Sequence, residues 1–170
     1  MTERVSAVIN GAPVNAEVEP QELLLDFLRD GLGLTGAKQS CEVQVCGVCT
    51  VLVDGNPVSS CCFLAADIDG RQVETIEGLA GSDFHRRAVE AFMRHAAVQC
   101  GFCTSGMLLT AKALAARGIG AVPTSGPESG TASGRAEIAA AMNGNLCRCT
   151  GYRSILDSLA EVLGGSVEGA

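Results

Sequence analysis

The sequence predicts an α+β chain in which a small sheet-plus-helix unit, residues 1–78, precedes a helical unit, residues 79–170, that forms a four-helix bundle. Three observations carry this reading. Two pairs of short apolar runs meet at Asn10-Gly11 and Asp54-Gly55, dipeptides that accept the positive φ angles of tight hairpins. From about Ser82 the apolar spacing becomes helical. Nine cysteines fall on both sides of that change in two separate groups.

Val5 to Ile9 forms the first strand, Asn10-Gly11 the turn, and Pro13 to Val18 the returning strand, which alternates apolar with other residues. A short amphipathic helix is expected over Gln21 to Arg29, with Leu24, Phe27 and Leu28 on one face and Gly31 as the stop. Thr50 to Val53 and Pro57 to Ser60 make the second hairpin, and Gln72 to Ile76 a further strand. Helices are expected over Asp83 to Ala97, Thr104 to Arg117, Ala136 to Met142 and Ser154 to Leu163. Between the second and third, Gly118 to Gly134 is rich in Gly, Ser, Pro and Thr and reads as a mobile surface loop.

Composition narrows the function. A formal charge of −7 argues against a nucleic-acid groove or an anionic membrane surface, both of which need concentrated Lys and Arg. No apolar run spans a bilayer: Leu23-Leu24-Leu25 stops at Asp26, and Met107 to Ala116 carries Lys112. The start, Met1-Thr-Glu-Arg, lacks a secretory signal, so a cytoplasmic location is expected. Gly31-Leu-Gly-Leu-Thr-Gly36 matches a dinucleotide fingerprint only on paper, because it follows a helix and opens a cysteine-rich loop. The cytosol keeps thiols reduced and nine cannot all pair, so metal or cluster ligation leads over a disulfide framework.

Cys41, Cys46 and Cys49, with a fourth cysteine at 61 or 62, give C-x4-C-x2-C and a distant ligand, the spacing of plant-type 2Fe-2S ferredoxins. Iron prefers soft thiolates, and a tight loop lets three converge while backbone N–H groups point at the sulfurs; Gly47 permits the close approach. A structural zinc site more often uses paired CxxC knuckles. Cys100-Gly-Phe-Cys103 and Cys147-Arg-Cys149 precede the second and fourth predicted helices, so four more thiolates can meet at one end of the bundle. Zinc, a redox dithiol or a cluster could each use that second pattern, although no βαβ unit surrounds Cys100 as a thioredoxin-like motif requires. His85 and His95 lie outside both motifs and read as surface helix residues; Arg148 and Arg153 flank the second group.

Leu34-Thr-Gly-Ala-Lys, the plant-type spacing ending at Thr50-Val-Leu-Val-Asp-Gly, Gln99-Cys-Gly-Phe-Cys-Thr and Gly144-Asn-Leu-Cys-Arg-Cys-Thr-Gly-Tyr152 occur in that order. Together they resemble the small iron-sulfur subunit of the molybdenum hydroxylases, the xanthine oxidase and carbon monoxide dehydrogenase family. The resemblance implies a ferredoxin-like β-grasp domain holding the plant-type cluster and a four-helix bundle holding a second 2Fe-2S cluster. It implies electron transfer from a molybdopterin-binding large subunit to an FAD-binding medium subunit or another acceptor, within a dimer of heterotrimers. No catalytic residue or substrate-binding site is expected on this chain. By the same resemblance Gln99 and Cys100 lie beside the molybdopterin, and the family spacing selects Cys61 as fourth plant-type ligand. Adjacent residues of an extended segment point to opposite sides, so Cys62 is expected to be a ninth, buried apolar thiol. Gln44 stands where the family often has glycine and Ser105 where it usually has proline; neither removes a ligand.

Overall fold

Asn10 and Gly11, with φ of 52° and 80°, turn the chain between β1 (Glu3–Ile9) and β2 (Ala12–Val18), as the dipeptide predicts. Asp54 and Gly55, with φ of 49° and 76°, do the same between β3 (Thr50–Val53) and β4 (Asn56–Ser59). The computed structural model describes residues 1–120 and 132–164. With β5 (Gln72–Glu74), shorter than expected, the strands form one mixed sheet of order β2-β1-β5-β3-β4, in which only β1 and β5 run parallel.

The helix expected over Gln21 to Arg29 is cut to one α turn, α1 (Leu24–Asp26), which widens into a π turn over Phe27–Gly31. The sheet side claims its first residues. Leu23 forms a β-bridge with Leu64, and the Glu22 carbonyl accepts from Ala65 N at 2.8 Å. Leu24, Leu25 and Leu28 still reach the core under the sheet with Val5, Ile9, Val51 and Ile68.

All four residues of β3 are buried because both of its faces are covered. Val51 and Val53 belong to the core shared with α1, whereas Leu52 joins the core of the helices. Those are α2 (Ile76–Leu79), α3 (Asp83–Arg94), α4 (Thr104–Ala116), α5 (Ala132–Ala141) and α6 (Arg153–Gly164). α3 is amphipathic and capped by Ser82 Oγ, which accepts from His85 N at 3.1 Å. α4 is apolar on nearly every side, which is the signature of a helix wrapped by other elements; it lies between β3 and α6. Gly118, at φ 69°, follows the end of α4. α5 begins earlier than expected, so residues 132–134 of the predicted loop are helical; most of that loop, 121–131, lies outside the described residues.

Magnitudes decide what joins sheet to helices. Met107 and Leu109 are fully buried, and burial of such a side chain is worth about 1.5–3 kcal/mol. The ion pair from Lys112 to Glu74, at 2.5 and 2.6 Å, is partly solvated and such pairs are worth about 0–1 kcal/mol. The apolar seam therefore carries the joint. Among the described residues no helix is long and apolar enough to cross a membrane.

A carboxylate anchors the segment leading into the first cysteine loop. Glu77 accepts from Gly36 N at 2.7 Å and from Thr75 Oγ at 2.6 Å. Partial burial alone would raise its pKa, but the Thr75 hydroxyl and the backbone N–H groups of Glu77 and Gly36 outweigh it and the net shift is downward. A depressed folded-state pKa stabilises the fold above the unfolded value, and that contribution fades as pH falls through the folded one. Glu77→Gln is therefore expected to lower stability at neutral pH and to flatten its dependence below about pH 4.5, the ordinary Glu value. Denaturant titrations of both proteins from pH 7 to pH 3 measure this; parallel pH profiles would show that the contact contributes nothing.

Candidate metal centres

The chain between the π turn and β3 is fastened at its base before it opens into a cysteine loop. Arg29 Nη1 donates to the carbonyls of Thr35 and Ala37, at 3.0 and 2.7 Å, and Lys38 N donates to Val48 O at 3.0 Å. Within the loop Glu42, Gln44 and Gly47 have φ of 57°, 57° and 67°. Left-handed residues interspersed with ordinary ones turn successive N–H groups toward one concavity, a nest suited to negative charge. Cys41 Sγ accepts from Val45 N and Cys46 N, each at 3.4 Å. The position held by Gln44 thus needs a backbone conformation that glycine would adopt without strain.

The N–H groups of Val43, Cys46 and Val45 lower the Cys41 pKa to about 6, while burial pushes Cys49 up to about 11. The Cys46 thiol acts on Cys41, and the Cys61 and Cys46 thiols both act on Cys49. Ser60 Oγ donates to Cys49 O at 2.7 Å and so holds the Cys61 turn against the loop.

The structure corrects the expectation for Cys62. Ser60–Cys62 is a 3-10 turn rather than an extended segment, so its neighbours do not alternate sides. Cys61 is buried and Cys62 exposed, yet their Sγ atoms are 3.7 Å apart.

The second group gathers where α4 and α6 begin. Cys103 is the N-cap residue of α4, and Gly101, at φ 77°, turns the chain between it and Cys100. Cys147 and Cys149 lie in the bend ahead of α6. Cys100 Sγ and Cys149 Sγ stand 3.5 Å apart, and Cys103 interacts with Cys147. Burial pushes Cys103 up to about 12, with the Cys147 thiol adding to the shift. Burial would raise Cys147 as well, but the Thr150 hydroxyl, donating to its Sγ at 3.2 Å, turns the net shift downward. Gln99 Nε2 donates to the Cys149 carbonyl at 3.1 Å, so Gln99 braces this bend from outside. Tyr152, which ends the Gly144 to Tyr152 motif, accepts from Cys147 N at 2.8 Å. The buried Ser105 Oγ, two residues past Cys103, has no protein hydrogen-bond partner.

The two groups touch. Leu146 N donates to the Cys46 carbonyl at 2.8 Å, and the buried Asn145 donates through Nδ2 to Gly47 O at 3.2 Å. Backbones pack without side chains between them: a Cβ on Gly47 would lie 2.2 Å from Gly144 O, and one on Gly106 2.1 Å from Gly47 O. A cleft of about 570 Å³ is lined by Cys46 together with Cys100, Cys103, Cys147 and Cys149, and Arg148 lies on its wall. Only the Gly-Asn preceding Cys147 hinted at this in the sequence, and nothing assigned it a role. His95 belongs elsewhere, with Nε2 2.8 Å from Glu161 Oε2 between α3 and α6.

Among the described residues no three Cys, His, Asp or Glu side chains surround one point. Within the first group Cys41 interacts with Cys46, and Cys49 with Cys61 and Cys46; within the second, Cys100 interacts with Cys149, and Cys103 with Cys147 and Cys100. A 2Fe-2S cluster asks for four thiolates together, since they divide between two tetrahedral irons. The donor set, all sulfur with N–H and hydroxyl groups directed at Cys41 and Cys147, fits such a cluster at both places.

Residues 7–80 match the family described as 2Fe-2S iron-sulfur cluster binding domain, and residues 75–160 match the 2Fe-2S binding domain family. The nicotinate dehydrogenase small FeS subunit of Eubacterium barkeri is 43% identical over 147 residues, covering 86% of each chain. The xanthine dehydrogenase iron-sulfur-binding subunit of Escherichia coli O157:H7 is 38% identical over 157 residues, covering 92% of each. In a crystal structure of quinoline 2-oxidoreductase from Pseudomonas putida 86, one chain superposes with a TM-score of 0.82 at 44% identity, over 95% of this chain and 94% of that one.

Proposed function

We propose, from the premise that the chain belongs to the family of 2Fe-2S iron-sulfur subunits of the molybdenum hydroxylases, that it holds two clusters. One sits on Cys41, Cys46, Cys49 and Cys61, the other on Cys100, Cys103, Cys147 and Cys149. When bound, these groups carry single electrons from a molybdopterin-containing large subunit to an FAD subunit or other acceptor, the helical-domain cluster receiving them first. The observation that carries the reading is the gathering of eight thiols into two groups of four, joined by the Leu146 N to Cys46 O bond.

The chain's own residues hold and insulate. N–H groups at Cys41 and the Thr150 hydroxyl at Cys147 offset sulfur charge, and Gly47, Gly106 and Asn145 keep the two groups in contact. We assign residues 1–78 to a ferredoxin-like β-grasp domain and residues 79–170 to the four-helix bundle. The reading extends to a cytoplasmic dimer of heterotrimers, with a molybdopterin-binding large subunit and an FAD-binding medium subunit as partners.

Gln99 and Cys100 face the molybdopterin subunit in this assignment. Both are exposed, at the outer end of the second cysteine group. In the purified complex, Gln99→Ala should keep the iron and sulfide content of the parent, because all eight thiols remain. Reduction of the helical-domain cluster by substrate should slow roughly tenfold or more, the range seen when groups supporting a metal ligand are removed. Rapid-mixing spectroscopy measures the rate. An unchanged rate would remove Gln99 from the electron path, and a native complex without molybdenum would overturn the wider assignment.

A further inference from the structure

Cys62 is the one thiol of nine that neither four-cysteine set uses, yet it stands at the first centre. Its Sγ is 3.7 Å from Cys61 Sγ, and two thiolates on one tetrahedral metal with bonds near 2.3 Å lie about 3.8 Å apart. Its thiol also reaches the Glu42 carbonyl at 3.6 Å, so it rests against the loop that bears Cys41 and Cys46. Cys61 is 4% exposed and part of the core under the sheet, whereas Cys62 is exposed.

From this geometry we infer that Cys62 is an exchangeable fifth ligand of the plant-type centre, able to take the place of Cys61. The inference rests on the cluster assignment proposed above. In the exchange the iron to sulfur bond of Cys61 breaks as that of Cys62 forms. The proton of the Cys62 thiol passes to the Cys61 sulfur, and no electron changes hands. The peptide bond between the two residues keeps the incoming thiol at high effective concentration. An exposed thiol can hold iron first and then yield it to the buried one, which makes Cys62 a loading ligand and Cys61 the resting ligand.

The test compares the full chain with Cys61→Ser, Cys62→Ala and the Cys61→Ser/Cys62→Ala double variant after anaerobic reconstitution. It reads iron and sulfide content, the paramagnetic signals of the reduced protein, and alkylation of Cys62 by iodoacetamide. Serine keeps the volume of the lost cysteine and is a poor ligand for iron. Cys61→Ser should retain at least half of the plant-type signal with all-thiolate character, and its Cys62 should be alkylated at least tenfold more slowly than in the parent. The double variant should lose that signal or show the altered spectrum of an oxygen ligand, while the helical-domain signal persists in every variant as the folding control. Equal plant-type content and identical spectra in Cys61→Ser and the double variant would overturn the inference. If Cys61→Ser does not accumulate, loading of Cys62→Ala decides: a severalfold slower rate than the parent is expected, and an equal rate overturns the exchange. A parent chain with no plant-type signal would instead overturn the cluster assignment, and the exchange with it.

Discussion

Anaerobically reconstituted and then reduced, the protein is expected to give two distinct paramagnetic 2Fe-2S signals, of which Cys49→Ala extinguishes one and Cys103→Ala the other. Each variant should lose about half of the iron, because each removes one thiolate from a different four-thiolate set. The two signals should differ because hydrogen bonds to sulfur, solvent exposure and local charge tune a cluster. At Cys41 the donors are backbone N–H groups in a strained loop, and at Cys147 the donor is a hydroxyl. Cys49 and Cys103 are the informative positions: burial raises both thiols, to about 11 and about 12. Cys49 is buried and Cys103 half-buried. Electron paramagnetic resonance with iron analysis checks the result. A single shared signal, or loss of both signals from either variant, would contradict two independent centres.

Gly47→Ala should be the most damaging single substitution that leaves every cysteine in place. A left-handed backbone costs a non-glycine residue about 1–2 kcal/mol, and forcing an atom into a packed space typically costs about 1–3 kcal/mol more. Here the added atom meets the Gly144 backbone oxygen at 2.2 Å and, at 2.6 Å, Nδ2 of Asn145, a buried side chain held by its bond to Gly47 O. The sum, about 2–5 kcal/mol, is a large share of a domain's total stability of about 5–15 kcal/mol. The thermal midpoint should fall by roughly 5–15 °C, with loss of cluster from both sites, since Gly47 touches the segment just before Cys147. Gly55→Ala supplies the control: its φ is 76° but nothing lies within 4 Å of the added atom, so only the backbone cost of about 1–2 kcal/mol applies. Calorimetry on both variants separates the two terms. Equal destabilisation would mean that the contact with residues 144 and 145 is loose.

Local chemistry made much of this legible before any coordinates. Asn10-Gly11 and Asp54-Gly55 fix their hairpins because few other dipeptides accept those angles, and the amphipathic pattern of α3 follows from burial of Ala88, Ala91 and Phe92 alone. The cysteine spacings located eight thiols that the fold brings together in two groups. What the sequence hid depends on partners distant along the chain. Leu23 leaves its expected helix because Leu64, distant along the chain, bridges it. Cys62 is misjudged if the segment is taken as extended, since a 3-10 turn held by Ser60 and Cys49 removes the alternation. Tyr152 and Asn145 are polar residues beside cysteines in sequence, and only folding shows that one supports Cys147 and the other grips the opposite loop.

The contact from Leu146 N to the Cys46 carbonyl, flanked by Gly47, Gly106 and Gly144, is made of main-chain atoms. Apart from the Asn145 side chain that grips Gly47 O, the spacing of these backbones is set by Gly47 and Gly106, where an added Cβ would clash. Surface residues around either centre can then drift to suit new partner subunits while the gap between the centres stays constant. Electron tunnelling falls steeply with distance, so a main-chain seam of this kind would hold the spacing between the two proposed centres whatever surrounds them.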